Sequence, residues 1–151
     1  MTLSIKKAEP EDYMAVFTLT KELIEYHNAM DIFELTPERM LELLSSGALQ
    51  SYIALADGRE AGVMNYFWKY TTFTGRKILY IEDLYARQEF RGCGIGKALI
   101  AAAKADAHKN DCEQIELKCI KSNTGSAQFY ESIGMTPDDQ WITYTLEKSL
   151  F

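Results

Sequence analysis

The chain has 151 residues, 47% of them hydrophobic and 25% charged, which is the balance of one globular domain with a single sizeable core. Its formal net charge of −6 argues against a nucleic-acid-binding protein, which needs a basic face, and mildly favours a cationic substrate. No apolar stretch reaches the length that spans a bilayer, and residues 1–7 lack the order of a secretory signal. We therefore expect a single domain over residues 1–151 with no membrane partner.

Cysteine and histidine usage points to a reducing compartment without a metal site. The three cysteines are an odd number and form no C-x-x-C pair, which argues against a disulfide framework and against zinc. His27 and His108 are too few and too far apart to suggest metal ligands. The cytoplasm is the expected location, and Cys93 is a small filler in its loop rather than a nucleophile.

The first half of the chain predicts a strand, two helices and a β-hairpin. Residues 3–7 alternate as a strand does, and Pro10 with its neighbouring acids suits the first turn of a helix. Apolar side chains then recur at helical spacing as far as His27. Thr36 and Gly47 are typical first and last caps of a second helix. Two strands follow at residues 51–56 and 61–70, joined by Asp57-Gly58, a strong signal for a two-residue hairpin turn.

The second half alternates strands with helices. In order, it predicts a central strand at 78–86, a helix at 97–109, a strand at 114–120, a helix at 125–132 and a last strand at 141–147. The helix at 97–109 should connect its two strands as a parallel crossover. An antiparallel first half and this βαβα second half predict an α/β protein with a mixed sheet and helices packed on it.

A glycine loop follows the central strand and opens the next helix. Gly92, Gly94 and Gly96 alternate just before an alanine-rich stretch with high helix propensity. Unpaired amides at a helix start carry partial positive charge, and glycines let a ligand approach them, so this loop predicts a phosphate site. It does not match the dinucleotide G-x-G-x-x-G pattern, and Arg91 stands where a P-loop has its first glycine.

The segment Arg91-Gly92-Cys93-Gly94-Ile95-Gly96 matches the R/Q-x-x-G-x-G/A motif of the GCN5-related N-acetyltransferases, the GNAT family. Motif order, spacing and length agree over nearly the whole chain. Within that family the chain resembles the diamine (spermidine/spermine) and thialysine acetyltransferase branch. The residues that carry this second resemblance are Lys21-Glu22-Leu23 with Tyr26, Tyr80-Ile81-Glu82-Asp83-Leu84-Tyr85, Phe90-Arg91-Gly92, and Asn123 with Phe129-Tyr130.

The resemblance implies a fold and a cosubstrate. The family fold is a mixed, mostly antiparallel sheet of about seven strands flanked by about four helices, with acetyl-CoA in a gap between the central strand and the next one. The residues implied to bind acetyl-CoA are Leu84, Tyr85, Ala86, Arg91, Gly92, Cys93, Gly94, Ile95, Gly96, Lys97, Asn123, Ser126 and Tyr130. Asn123 is equally well explained as a helix N-cap, and both roles are compatible. The resemblance also implies a homodimer.

Two side chains are the predicted catalytic groups. By resemblance Tyr130 is the general acid, and a phenol with an ordinary pKa near 10 stays protonated at neutral pH and can reprotonate the leaving thiolate. Without the motif, Tyr130 would be interpreted as a core tyrosine. The resemblance selects Glu82 as the base, acting through water. Because neighbours in a regular strand face opposite ways, Asp83 is then expected to be structural or at a dimer interface.

The acceptor side is where this sequence departs from the branch. Tyr26 matches a residue that lines the amine site, but His27 stands where the branch has an acid. Glu25, Asp31 and Glu34 are candidates to replace that acid, and Trp68, Tyr70 and Phe73 are rings that either contact the amine or simply pack in the sheet. By resemblance the acceptor also meets Glu82 and the backbone of Glu116, Leu117 and Lys118.

These features predict an acetyl-CoA-dependent N-acetyltransferase that needs no metal. Its expected acceptor is the primary amine of a small cationic or amino-acid-like molecule, and a diamine, a polyamine and a thialysine-like amino acid all remain open. Two alternatives are an enzyme that acetylates protein or peptide amines and a non-catalytic CoA-binding regulatory module. Retention of Glu82 and Tyr130 argues against the regulatory module.

Overall fold

A computed structural model describes all residues 1–151. They divide into two compact units, Met1–Lys118 and Cys119–Phe151. The first unit contains strands β1 (Leu3–Lys7), β2 (Gln50–Ala56), β3 (Arg59–Tyr70), β4 (Lys77–Ala86) and β5 (Gln114–Leu117), with helices α1 (Tyr13–Tyr26), α2 (Pro37–Ser46) and α3 (Ile95–Lys109). The second unit contains helix α4 (Thr124–Ser132). None of these helices combines the length and the apolar character needed to cross a membrane.

The five strands form one sheet in the order β1-β2-β3-β4-β5. The first three pairs are antiparallel, while β4 and β5, joined through α3, are parallel. The predicted mixed, mostly antiparallel sheet with about four helices is therefore confirmed, as is the parallel crossover. The predicted hairpin turn is also present, because Asp57 and Gly58 both have positive φ, at 48° and 77°, as a type I′ turn requires.

The predicted strand count was too high. The sheet has five strands rather than about seven, β5 ends at Leu117 rather than at residue 120, and residues 141–147 form no strand. Trp141 is 70% exposed and Tyr144 is 87% exposed. Alternating polarity states which face of a strand would be buried, but a strand forms only where a neighbouring backbone pairs with it. The sequence pattern shows which face would be buried, but it does not show whether a neighbouring backbone is present.

The sheet packs helices on both of its faces. Val63 of β3 belongs to the core formed with α1 and α2, while its neighbour Gly62 faces α3. The core on the α1 and α2 side consists of Val16, Leu19, Met40, Leu44, Ile53 and Val63. Burial of six such side chains, at roughly 1.5–3 kcal/mol each, is the main force that holds these helices on the sheet.

The helix ends follow the predicted capping chemistry, with small shifts. The Thr36 hydroxyl accepts a hydrogen bond of 3.1 Å from the Arg39 amide at the start of α2, and Gly47 ends that helix with φ 74°. Helix α3 begins at Ile95, two residues before the predicted start, with Gly94 as its N-cap at φ 85°. The glycine loop is therefore shorter than predicted, and Gly96 belongs to the first helical turn.

A polar cluster connects α3 to strands β1, β2 and β3 of the sheet. The Tyr66 hydroxyl is fully buried and donates to Asp106 of α3, and the Lys7 ammonium donates to the same hydroxyl and to Gln50 at 2.7 Å. Burial lowers the pKa of Lys7. Burial would raise the pKa of Asp106, but the hydrogen bond from Tyr66 and the charge of Lys7 lower it below its usual value. The cluster thus keeps a partly buried carboxylate ionised and fixes α3 on the sheet.

A second buried polar group lies on the α1 side of the sheet. Asn65 is fully buried; its amide donates to the Thr20 hydroxyl and to the Asp83 carboxylate, both at 2.8 Å. The Ser51 hydroxyl donates to the Asn65 carbonyl at 2.5 Å. Burial raises the pKa of Asp83, because the hydrogen bond from Asn65 offsets only part of the desolvation and the charge of Glu82 adds repulsion. Asp83 is thus a structural member of a saturated network.

We predict that Gly62→Ala destabilises the first unit by roughly 1–3 kcal/mol. A methyl group at this position would lie 2.5 Å from the Tyr85 carbonyl oxygen and 2.8 Å from Ile95, the first residue of α3. Chemical denaturation measures the loss, and Gly125→Ala is the control, since its nearest atom would be 4.0 Å away. Equal stability of Gly62→Ala and the parent would show that β3 and β4 do not need this close approach.

We predict that Asp83→Asn raises the unfolding midpoint at pH 7 and that this gain shrinks toward pH 4. Folding raises the pKa of Asp83, so the folded protein binds this proton more tightly than the unfolded chain does. The free energy of unfolding therefore falls as the pH rises above the pKa of the unfolded chain, near 4. Asparagine keeps an oxygen that can accept from Asn65. Thermal unfolding at several pH values measures the effect, with exposed Asp139→Asn as control. A lower midpoint at pH 7 would contradict the assignment.

Candidate active site

The glycine loop presents a group of unpaired backbone donors. Gly92 and Gly94 have φ of 76° and 85°, values that residues with a side chain rarely adopt. Five successive or nearly successive amides have no hydrogen-bond acceptor in the chain, namely those of Gly92, Gly94, Ile95, Gly96 and Lys97. Together with the positive end of the α3 dipole, they form an anion site suited to phosphate. The loop residues 91–94 are exposed, so a ligand can reach them.

The pairing of β4 with its two neighbours stops at different points. On one side β4 pairs with β3 as far as Ala86, opposite Gly62. On the other side its parallel ladder with β5 ends at Ile81, opposite Leu117. The segment from Glu82 to Ala86 therefore has one edge without a neighbouring strand. A short 3-10 turn, Gln88–Phe90, connects the end of β4 to the glycine loop. Such an edge can pair with an extended ligand as an added strand would.

A β-bulge places Glu82 where this edge begins. The register of β3 against β4 passes from Asn65–Asp83 to Tyr66–Ile81, so Glu82 has no partner. The strict alternation expected from the sequence is therefore interrupted, and Ile81 and Asp83 lie on opposite faces although they are two residues apart. The charge of Glu82 acts on both Tyr80 and Asp83, which lie on the α1 face. Glu82 itself is exposed.

The glycine loop also touches the end of α1. The Arg91 guanidinium lies over the ring of Tyr26, with 4.4 Å from its carbon to the ring centroid. Tyr26 is the last residue of α1, 54% exposed, and its ring meets His27 edge to face at 5.6 Å. A guanidinium that stacks on a ring keeps its in-plane N–H donors available. The structure thus brings a predicted acceptor residue, Tyr26, against a predicted cofactor residue, Arg91.

A second arginine fixes the same junction more firmly. Arg87 follows β4 and makes two hydrogen bonds to the Glu22 carboxylate of α1, at 2.9 and 2.7 Å. It also donates to the Glu60 carbonyl at 2.8 Å. Both side chains are about three-quarters buried, so this bidentate pair is less screened than a surface pair. It holds α1 at the end of β4, next to the glycine loop.

Of the predicted acceptor residues at the end of β5, Glu116 makes a side-chain contact with β3. Glu116 and Leu117 are the last residues of β5, and Lys118 follows them. The Glu116 carboxylate accepts a hydrogen bond of 2.7 Å from the Lys69 ammonium of β3. Sequence reasoning missed Lys69 and the Asn65 network. Asn65 could have been noticed as the one amide in the apolar run of β3, because a buried polar group needs partners.

The rings of Trp68, Tyr70 and Phe73, which the sequence left open as either amine contacts or sheet packing, have different surroundings. Trp68 packs edge to face on Tyr66 at 5.5 Å, and the Lys77 ammonium lies 4.9 Å from its ring, so its side chain belongs to the α3 face. Tyr70 and Phe73 are 67% and 86% exposed at the end of the β3–β4 hairpin. Packing thus explains Trp68, and the other two rings are exposed.

The second unit contains the remaining predicted residues. The Asn123 side chain accepts from the Ser126 amide at 3.1 Å, so Asn123 is the N-cap of α4. Tyr130 is half-buried in the last turn of α4, with its ring 5.5 Å from Phe129. Burial, and secondly the charge of Cys119, raise the pKa of Tyr130 to about 12. The phenol is therefore protonated at neutral pH, as a general acid must be.

Comparison with known proteins identifies the family. The model of the acetyltransferase (GNAT) family matches residues 16–135. A thialysine N-epsilon-acetyltransferase of Bos taurus is 28% identical over 95% of this chain and 91% of its own length. A spermidine/spermine N(1)-acetyltransferase-like protein 1 of Homo sapiens is 27% identical over 95% of this chain and 22% of its length.

A solved structure agrees in fold. The crystal structure of an aminoglycoside acetyltransferase from an uncultured soil metagenomic sample, in complex with trehalose, matches 96% of this chain and 97% of that one. Its TM-score is 0.81 and its sequence identity 24%. The glycine loop before α3, the one-sided end of β4 and the family match over most of the chain agree with one another: the chain belongs to the GNAT family of acetyltransferases.

Proposed function

We propose that this acetyltransferase moves the acetyl group of acetyl-CoA to the primary amine of a small cationic or amino-acid-like acceptor, by direct attack. The observation that carries the proposal is the group of five unpaired amides at the start of α3, beside the unpaired edge of β4. The family uses acetyl-CoA as its cosubstrate. These donors suit a pyrophosphate followed by an amide-containing chain.

The donor side is assigned residue by residue. The five unpaired amides between Gly92 and Lys97, with the Arg91 guanidinium, hold the pyrophosphate. Ile95 contributes its backbone only, and Cys93, whose amide donates to the Phe90 carbonyl at 3.2 Å, lies in the same loop. Leu84, Tyr85 and Ala86 offer backbone groups to the pantetheine arm, and one of their N–H groups polarises the thioester carbonyl. Asn123 and Ser126 contact the cofactor arm by resemblance, and the N-cap bond of Asn123 is compatible with that role.

The chemistry requires two proton movements. The amine nitrogen bonds to the acetyl carbon, the carbon–sulfur bond breaks, and the amine loses a proton while the thiolate gains one. Glu82 accepts the amine proton through water, which suits an exposed carboxylate at a bulge. Tyr130 gives its phenolic proton to the thiolate, which suits a phenol whose pKa is about 12. No covalent enzyme intermediate is needed.

The acceptor side combines the end of α1 with the end of β5. Tyr26, His27 and Glu82 are assigned to an aromatic and polar rim. The backbone of Glu116, Leu117 and Lys118 is assigned to the acceptor by resemblance. The branch has an acid where this chain has His27, which argues for a less cationic acceptor than spermine. A homodimer, a single domain over residues 1–151 and a cytoplasmic location stay predictions.

The test is release of CoA from acetyl-CoA across a panel of polyamines, lysine analogues and N-terminal peptides. We expect turnover with small amines or amino acids and little with peptides. Turnover with peptides alone would favour the protein-modifying alternative. CoA binding without turnover on any acceptor would contradict the proposed activity and leave a regulatory module.

We predict that Tyr130→Phe lowers kcat by roughly 10²-fold or more, because the leaving thiolate loses its proton donor, while the Kd for acetyl-CoA changes little. Steady-state kinetics and calorimetric titration measure the two quantities. The control is Tyr144→Phe, at a tyrosine that is 87% exposed. Full activity of Tyr130→Phe would remove the assignment of Tyr130 as the acid.

We predict that Glu82→Gln lowers kcat/KM at neutral pH by roughly 10²-fold and shifts the low-pH limb of the pH–rate profile, because the variant lacks the group that must be ionised to accept a proton. Glu89→Gln is the control, since Glu89 is another exposed glutamate close in sequence to the glycine loop. A profile in Glu82→Gln that keeps the parent's shape would argue that another group is the base.

A further inference from the structure

One face of the sheet already binds an ammonium group. Phe67, Tyr80 and Glu116 are partners across β3, β4 and β5, so their side chains share a face. Lys69, two residues beyond Phe67 on β3, places its Nζ 2.7 Å from Glu116 Oε1 and 5.1 Å from the centroid of the Tyr80 ring. A carboxylate beside an aromatic face is the chemistry that recognises a primary ammonium.

The floor of this site is aromatic and its rim is acidic. Tyr80 is 8% exposed, and its ring centroid lies 4.9 Å from that of Phe67. Burial raises the pKa of Tyr80, and the charges of Glu82 and Glu116 raise it further. The Lys69–Glu116 pair borders this ring, and the proposed base Glu82 follows Tyr80 by two residues on β4. Lys69 and Glu116 are 40% and 34% exposed in their side chains, so a solute can reach them.

The charges on this face are already partly balanced. One oxygen of Glu116 accepts from Lys69, and the other accepts from the Gln114 side chain at 3.0 Å. The second ammonium of a polyamine would compete with Lys69 for that carboxylate. An ammonium has three N–H donors, and Glu116 is the hydrogen-bond acceptor of the Lys69 side chain, so the other donors are open to a ligand. The open donors of Lys69 can therefore bind an anionic group of a ligand whose amine lies beside the acidic rim.

The spacing along β4 fits an acceptor with groups at two ends. Lys69 is paired with Ile78, four residues before Glu82. Four residues of strand span roughly 13 Å, and both side chains are long enough to shorten that distance. A diamino acid, whose reacting amine and carboxylate are several bonds apart, can place its amine near Glu82 and its carboxylate near Lys69.

We propose that Lys69 is a specificity-determining residue that binds the carboxylate of an amino-acid acceptor and disfavours polyamines. This inference rests on the proposed function and narrows its substrate class. The inference agrees with the similarity to a thialysine N-epsilon-acetyltransferase. Lys69 already pairs with Glu116, so the second ammonium of a polyamine would have to compete for that carboxylate. The ammonium of Lys69 does not react; it orients the acceptor.

The experiment compares L-lysine with cadaverine, which has the same chain of methylenes and amines but no carboxylate, and thialysine with its decarboxylated diamine. We expect the parent to prefer each amino acid by roughly 10-fold or more in kcat/KM, the effect usual for a hydrogen bond to a charged group. In Lys69→Gln the ratio of kcat/KM for the amino acid to kcat/KM for the diamine should fall to near unity, mainly because KM for the amino acid rises. Lys69→Arg should keep most of the parent's preference.

Lys77→Gln is the matched control, because Lys77 also lies over an aromatic ring, that of Trp68, but on the α3 face. Its preference should equal that of the parent, and the Kd for acetyl-CoA should be the same in all variants. An unchanged preference in Lys69→Gln, or a parent that prefers the diamines, would overturn this inference alone. Absence of turnover with every amine in the parent would instead overturn the proposed function on which it rests.

Discussion

The organisation of the first unit depends on strand β4, which pairs with β3 from end to end except at the bulge and with β5 along less than half of its length. Backbone N–H and C=O groups in a partly buried strand need partners, and β3 supplies them to β4 as far as Ala86. β5 supplies them only as far as Ile81. The remaining edge leads into the glycine loop, where five amides are also unpaired. Unpaired backbone groups thus lie in two places, along the edge of β4 and at the start of α3, and the proposed binding of acetyl-CoA requires both.

Two arginines connect the end of β4 and the glycine loop to helix α1. Arg87 binds Glu22 in a bidentate pair at the α1 side, and Arg91 stacks on Tyr26 at the end of the same helix. The first contact is largely buried and fixes the helix, whereas the second is exposed and leaves donors free. Residues that we propose for the acetyl-CoA side and for the acceptor side are therefore attached to one helix end, although they are far apart in sequence. A change in α1 would affect both sides of the reaction.

The sequence predicted the parts of this fold that local chemistry decides. Thr36 and Gly47 cap α2, Asp57-Gly58 makes its hairpin turn, and the three glycines precede α3, because each of these features depends on a few neighbouring residues. It could not predict what depends on partners distant in sequence. The bulge at Glu82, the Asn65 network and the Lys69–Glu116 pair all arise from strand register. The segment 141–147 has the alternation of a strand and forms none, for the same reason.

The bulge has a consequence for how β4 tolerates change in length. Asp83 pairs with Asn65 and Ile81 with Tyr66, so these pairs would persist in a regular ladder from which Glu82 had been deleted. Such a shortened strand would keep its hydrogen-bonding geometry and every buried side chain of the sheet. Architecture alone therefore gives no reason to retain this residue. The fold tolerates Glu82 as a local irregularity. A chain without Glu82 would keep the sheet but would lack the carboxylate to which we assign the first proton transfer.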